Sequence, residues 1–134
     1  MNQLVLDAAA VVDLLLDNHL GRAVRRHLLG PDLLSVAHLD AEVFSALGRL
    51  HRNGELSADA VADRLALLDR LAVDRLRISA GLTLAAWGMR ENVALRDALY
   101  VAAAQAVGAR VLTTDARLRK AVPDHTLDPA TPPA

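Results

Sequence analysis

Residues 3–16 read QLVLDAAAVVDLLL, and the order of that stretch, three apolar residues, an acid, then a longer apolar run, decides the fold class. Leu4, Val5 and Leu6 have the short β-prone character of a buried strand, while Ala8 to Asp17 has the character of a helix leaving its carboxyl end. Asp7 stands on the hinge. In an open parallel sheet, loops leave the carboxyl ends of the strands and helix N-termini converge there, so ligands and catalytic groups collect at that edge. A plain helix cap is the competing role for Asp7. The pattern returns in RVLTTD at 110–115, which again sets an acid, Asp115, behind a short β-prone run.

A chain of 134 residues holds one domain and buries a core without covalent staples. The 53% hydrophobic fraction indicates a globular protein, and no segment is long and apolar enough to cross a bilayer. No basic region opens the N-terminus, so no signal peptide is read there. The absence of cysteine removes disulfides and thiolate metal sites and agrees with a cytoplasmic location. A formal net charge of −1 lacks the basic excess of a dedicated nucleic-acid binder. One Phe, one Trp and one Tyr are too few for a base-stacking platform. Any nucleic-acid chemistry must therefore use local basic patches or substrate shape.

Working outward, Gly21 interrupts the chain before a short helix at Arg22 to Leu29, closed by Gly30-Pro31. Leu33 to Val36 is a second β-prone run, followed by a helix from Leu39 to Arg52. Ser57 caps a fourth helix, Ala58 to Val73, whose outward charges solvate it. Leu76 to Ser79 is a weak strand, Leu82 to Met89 a helix, and Ala94 to Val107 a helix apolar almost all round. Arg110 to Thr113 is a fourth strand, a short basic helix follows Asp115, and His125 to Leu127 is an edge strand. This alternation predicts an α/β protein, a three-layer α/β/α sandwich around a parallel sheet of four to five short strands. The domain spans residues 1–128, and 129–134 form a disordered Pro-rich tail.

Two further acids fall at informative positions. Glu42 lies on the stripe Leu39, Val43, Ala46, Leu47, Leu50 that turns the third helix to the core. A carboxylate there costs several kcal/mol of desolvation unless something compensates, or it sits at the stripe's edge and reaches water. Asp97 opens the most apolar helix, as a cap or as a site residue, whereas Asp40 complements a helix dipole. With Asp7 and Asp115 at strand ends, all four can share one rim. Clustered carboxylates repel one another, and a hard divalent cation resolves the conflict. Oxygen ligands without cysteine or a paired histidine motif favour Mg²⁺ or Mn²⁺ over Zn²⁺, and such a site suits phosphoryl chemistry by activated water. His19, His27, His38, His51 and His125 are read as surface or structural residues.

The stretches LVLDAAAVVDLLL, AEVFSALGRL, RDALYVAAA and VLTTDARL, in that order and spacing, resemble the PIN-domain ribonucleases, in particular the VapC-type toxins of toxin–antitoxin pairs. The resemblance reaches to about Leu127. It implies a parallel sheet flanked by helices and Mg²⁺- or Mn²⁺-dependent endonucleolytic cleavage of RNA, leaving a 3′-hydroxyl and a 5′-phosphate. It sets the acidic positions on Asp7, Glu42, Asp97 and Asp115 and matches Thr113 to a hydroxyl at the rim; the expectation is that Asp7, Asp97 and Asp115 ligate or orient one hydrated Mg²⁺, with Glu42 as a ligand, an outer-shell contact or the base that positions the attacking water. It also implies a cognate antitoxin whose C-terminal segment blocks the acids. Two positions depart from the family: Ala8-Ala9 replaces the Ser or Thr that many relatives carry after the first acid, and Arg117 stands where some have a further acid.

The expected function is thus a toxin endoribonuclease. Arg22, Arg25, Arg26, Arg90, Arg96, Arg117, Arg119 and Lys120 are candidate RNA phosphate contacts, and a homodimer would pool two such patches. A related nuclease acting on DNA and a non-catalytic interaction protein of the same fold are the alternatives. The missing glycine-rich turn after the first strand argues against a dinucleotide domain.

Overall fold

The computed structural model describes residues 2–133; Met1 and Ala134, the outer ends of the expected domain and tail, lie outside it. Five strands, β1 (Gln3–Leu6), β2 (Asp32–Val36), β3 (Asp74–Leu76), β4 (Arg110–Leu112) and β5 (Thr126–Leu127), form one sheet in the order β3-β2-β1-β4-β5. Every pairing is parallel. Seven helices connect them: α1 (Ala8–Leu16), α2 (His19–Arg25), α3 (Leu39–Arg52), α4 (Ala58–Arg70), α5 (Ala80–Trp87), α6 (Leu95–Val107) and α7 (Ala116–Ala121). The sandwich with a parallel sheet is the fold expected from the sequence.

The chain builds outward from β1 to β2 and β3, then returns across the sheet to β4 and continues to β5. That reversal puts a topological switch point between β1 and β4, and right-handed connections send the helices before and after it to opposite faces. The crevice outside the carboxyl ends of β1 and β4 is where such a sheet binds its ligands. Leu6 pairs with Leu112 in the β1/β4 register. One step further on each strand stand Asp7 and Thr113.

The core runs through Val5, Leu6, Val11, Leu39, Val43, Leu47, Val101, Val111 and Leu112, all fully buried. Helix α6 packs on β1, β2 and β4. Its buried residues Ala98, Val101, Ala102, Ala103 and Ala104 are small, so its backbone lies close to the sheet. Tyr100 is the one large buried side chain on it.

Several boundaries differ from the sequence reading. The Asn18 side chain caps α2 by accepting from the Gly21 N–H at 2.8 Å, so that helix starts at His19 and ends by Arg25 rather than running to Leu29. Gly21 does not interrupt it; a Cβ there would lie 1.9 Å from the Asp13 carbonyl oxygen, so glycine is what lets α1 and α2 meet. The edge strand β3 begins at Asp74, and Arg75 on it grips Asp40 through two hydrogen bonds of 2.9 and 3.1 Å. Asp40 therefore fastens β3 to α3, beyond any dipole role. The expected free tail is held at its start: Pro129 is buried and its carbonyl lies 3.0 Å from Nε2 of the buried His27.

Two glycine substitutions should separate these effects. Gly48→Ala on α3, whose Cβ would meet only the Arg52 guanidinium at 3.5 Å, should raise stability by about 0.5–1 kcal/mol through helix propensity. Gly21→Ala carries the same gain, but its clash is with backbone, so a net loss of about 1–3 kcal/mol is expected from overpacking. Urea denaturation of both variants measures the difference.

Candidate active site

Asp7 is 3% exposed and caps α1, its Oδ1 accepting from the Ala10 N–H at 2.9 Å. Its Oδ2 accepts from the Thr113 hydroxyl, and the same Thr113 oxygen accepts from the Asp115 N–H at 3.0 Å. Thr113 thus ties the end of β1 to the turn after β4. Cap and site residue, the two roles open for Asp7, are one: capping fixes the carboxylate in the crevice. Burial pushes the Asp7 carboxyl up to about 7, against the lowering effect of both hydrogen bonds, and the charges of Asp97 and Asp115 push the same way.

Asp115 caps α7, its Oδ1 accepting from the Arg117 and Leu118 N–H groups at 2.9 and 3.4 Å. Asp97 lies in the first turn of α6 without capping it, since the capping position is Ala94. Burial raises the Asp97 carboxyl, and the charges of Glu42 and Asp115 add to it. Glu42, in the first turn of α3, accepts from the Tyr100 hydroxyl at 2.6 Å. The four acids thus share one electrostatic neighbourhood, with Asp97 as the member that presses on Asp7 and itself feels Glu42 and Asp115.

Repulsion reaches further than ligation. Among the described residues, no three Asp, Glu or His side chains stand close enough to form a ready-made metal cage, so Asp7, Asp97 and Asp115 neighbour one another without converging on one point. The donors nevertheless fit a hard cation. They are carboxylate oxygens, the buried one disfavours its own charge, and Mg²⁺ keeps several waters while using only one or two carboxylates directly.

Two clefts open beside the acids. One, of about 290 Å³, runs along α1 and α3 and is lined by Ala8, Ala9, Glu42, Ser45, Arg49 and Arg96 among others. The other, of about 270 Å³, includes Asn92, Asp97, Asp115 and Arg117. Ala8-Ala9 therefore forms cleft wall where a hydroxyl was looked for, and the hydroxyl on Asp7 comes from Thr113.

The basic candidates divide. Arg96 and Arg117 line the clefts. Arg90 lies over the Trp87 ring at 4.9 Å and 3.6 Å from Glu91. Arg22 and Arg25 bind Asp17, which ends α1. Nine helical residues carry the chain about 13 Å from Asp7, so α2, with Arg22, Arg25 and Arg26, lies toward the opposite edge of the sheet. Arg119 is 26% exposed in its side chain and holds the Thr113 carbonyl at 2.9 Å and Asp128 at 3.8 Å; it braces the site from behind. Arg22, Arg25 and Arg119 are thus engaged by contacts within the protein. Sequence reasoning missed Arg49, Tyr100 and His38. The spacings Asp97–Tyr100 (i, i+3) and His38–Glu42 (i, i+4) were the available signals, because both put the pair on one helix face.

A PIN domain family model matches residues 4–122, the span that carries the whole sheet but its last edge strand. The chain belongs to the PIN-domain family, in its VapC branch. Ribonuclease VapC3 of Mycobacterium tuberculosis is 43% identical over 122 residues, 90% of this chain and 88% of that protein. Ribonuclease VapC1 of the same organism is 40% identical over 122 residues, 90% of this chain and 92% of that protein. Among solved structures, M. tuberculosis VapC20, described as a sarcin–ricin loop cleaving toxin, shares the fold with a TM-score of 0.67 at 16% identity, covering 88% of this chain and 94% of that one. VapBC-1 from nontypeable Haemophilus influenzae does so with a TM-score of 0.63 at 16% identity, covering 96% of this chain and 99% of that one.

The raised Asp7 carboxyl makes a pH prediction. Between its unfolded value of 3.8 and about 7, the native state holds a proton the unfolded chain has lost, so stability is fullest below the unfolded value and is lost as pH rises through the folded one. The displacement corresponds to on the order of 4 kcal/mol. With chelator present, wild-type unfolding free energy should fall between about pH 4 and 8, and Asp7→Asn should remove most of that slope. Urea denaturation across this range measures it.

Proposed function

We propose that the chain is a metal-dependent endoribonuclease, the toxin of a toxin–antitoxin pair. The carrying observation is Asp7, a buried carboxylate at the switch point whose hydrogen-bond partners among the described residues are a neutral hydroxyl and a backbone amide and whose charged neighbours of note are acids. Membership of the VapC branch, whose members are named ribonucleases, supports the same reading. Asp7, Asp97 and Asp115 are the carboxylates that would hold Mg²⁺ or Mn²⁺, directly or through its waters. When bound, the ion supplies a water of lowered pKa and neutralises charge developing on the phosphodiester.

The chain's own part is orientation. Glu42 Oε2, 3.6 Å from Arg96 Nε in the cleft that both residues line, accepts from the attacking water, taking its proton as the water oxygen bonds to phosphorus. The P–O3′ bond breaks and O3′ takes a proton from solvent, leaving a 5′-phosphate and a 3′-hydroxyl. The RNA strand follows the two clefts beside the acids, with Arg49 and Arg96 in one and Arg117 in the other as phosphate contacts.

A cognate antitoxin is the proposed protein partner. Related folds have been solved as a toxin–antitoxin complex from Klebsiella pneumoniae and as VapBC-1. A homodimer is proposed through α5, where Leu84, Trp87 and nearby Leu95 are exposed, an apolar group that a second copy would cover. Trp87→Glu should then shift the chain to monomer in sedimentation velocity. No helix among the described residues is long and apolar enough to cross a membrane.

Asp7→Asn and Asp97→Asn should each reduce cleavage of mixed cellular RNA by about 10²-fold or more without loss of fold, and chelator should do the same to wild type. Near-normal cleavage by either variant removes that residue from the catalytic set, and a DNA panel run alongside tests the substrate. In equilibrium binding to single-stranded RNA, Arg96→Glu and Arg117→Glu should each lower the salt slope by about 0.7. Arg22→Glu and Arg25→Glu should leave it unchanged.

A further inference from the structure

Helices α3 and α6 begin side by side, and four side chains link them next to the acids. Tyr100 of α6 is fully buried and donates its hydroxyl hydrogen to Glu42 Oε1 of α3 at 2.6 Å. The His38 ring stacks on the Tyr100 ring with centroids 4.5 Å apart and planes at 23°. Its Nε2 lies 2.9 Å from the Arg96 carbonyl oxygen, and since a carbonyl only accepts, that nitrogen carries the hydrogen. The buried His38 Nδ1 meets no partner among the described residues. Arg96 Nε stands 3.6 Å from Glu42 Oε2, with its side chain 80% exposed.

We propose that Tyr100 is a positioning residue: by holding Glu42 Oε1, which also lies 3.5 Å from His38 Nε2, it turns Oε2 toward Arg96 and the cleft they line, where that oxygen acts on the attacking water. The inference rests on the ribonuclease reading for what Oε2 does, and on geometry alone for how it is held. A glutamate has three rotatable bonds, and ordering such a side chain costs rotamer freedom. A hydrogen bond to a charged group is among the stronger ones in a protein and is of the size needed to fix one rotamer. A phenol suits the task better than an arginine would. It holds the carboxylate without neutralising it, and burial together with Glu42 raises the phenol's own ionisation well beyond its ordinary range, so the donor stays a donor.

The neighbouring residues favour this over simple core filling. The other buried residues of α6 are alanine or valine, and a tyrosine among them spends its length reaching across to α3. Glu42 sits between Leu39 and Val43, both fully buried, so its backbone is fixed and only the side chain remains to be ordered. His38, four residues earlier, ties the start of α3 to the start of α6 through the Arg96 carbonyl and so sets the span the phenol must bridge.

The chain has one tyrosine, which makes the test specific. In metal-free protein labelled at the tyrosine Cζ, the single ¹³C resonance should move when Glu42 is changed to Gln, because a carboxylate acceptor has become a neutral amide. An unchanged resonance overturns the contact. In RNA cleavage with Mg²⁺, Tyr100→Phe should lower kcat by about tenfold at unchanged KM. Added to Glu42→Gln, it should cause no further loss, since a residue acting through Glu42 has nothing left to act on. Losses that multiply in the double variant, or an effect on KM alone, overturn positioning and return Tyr100 to the core. His38→Gln, which keeps a donor for the Arg96 carbonyl, should retain more kcat than His38→Ala; equal loss removes His38 from the arrangement. If wild-type protein cleaves no RNA, the functional reading falls, and the resonance experiment alone decides whether Tyr100 holds Glu42.

Discussion

A carboxylate buried where the sheet reverses direction is the constraint on which the rest of the site depends. The switch point between β1 and β4 leaves a crevice at their carboxyl ends, and Asp7 occupies it because the strand ends at Leu6 and the helix needs a cap at the next residue. The Ala10 N–H and the Thr113 hydroxyl keep it there. They do not offset the loss of water, which is why its carboxyl is driven up to about 7. A protein built for stability would place an asparagine or serine at such a cap. Keeping an acid there spends stability, the expected trade at a functional site.

Much of this was legible because strand ends are legible. A short apolar run, an acid and a helical run give Asp7 its place without any structure, and the repeat in RVLTTD does the same for Asp115. Glu42 betrayed itself by standing on an apolar stripe whose members Leu39, Val43 and Leu47 are fully buried. Asp97 was legible only as a helix-start acid, and the structure removes the capping alternative by giving that position to Ala94.

What the sequence hid depends on contacts between distant segments. Tyr100 reads as one more apolar residue in an apolar helix, because nothing local shows that its hydroxyl lies against a residue 58 positions away. Gly21 reads as a break, since a close helix-helix approach and a helix end use the same amino acid for different reasons. The arginines cannot be sorted from sequence for a related reason. Sequence shows charge but not commitment, and Arg119 is spent on the Thr113 carbonyl while Arg22 and Arg25 are spent on Asp17.

The four acids are not held alike, and the difference bears on how the site works. Asp7 is fixed by Thr113 and the start of α1, Asp115 by the N–H groups of α7, and Glu42 by Tyr100. Asp97 has no such anchor among the described residues, yet it is the one that the charges of both Glu42 and Asp115 press upon. Three anchored acids thus surround one unanchored carboxylate at the switch point. Of the four, Asp97 is the side chain whose rotation would break none of these hydrogen bonds, so it is the acid best able to adjust to whatever the crevice takes up.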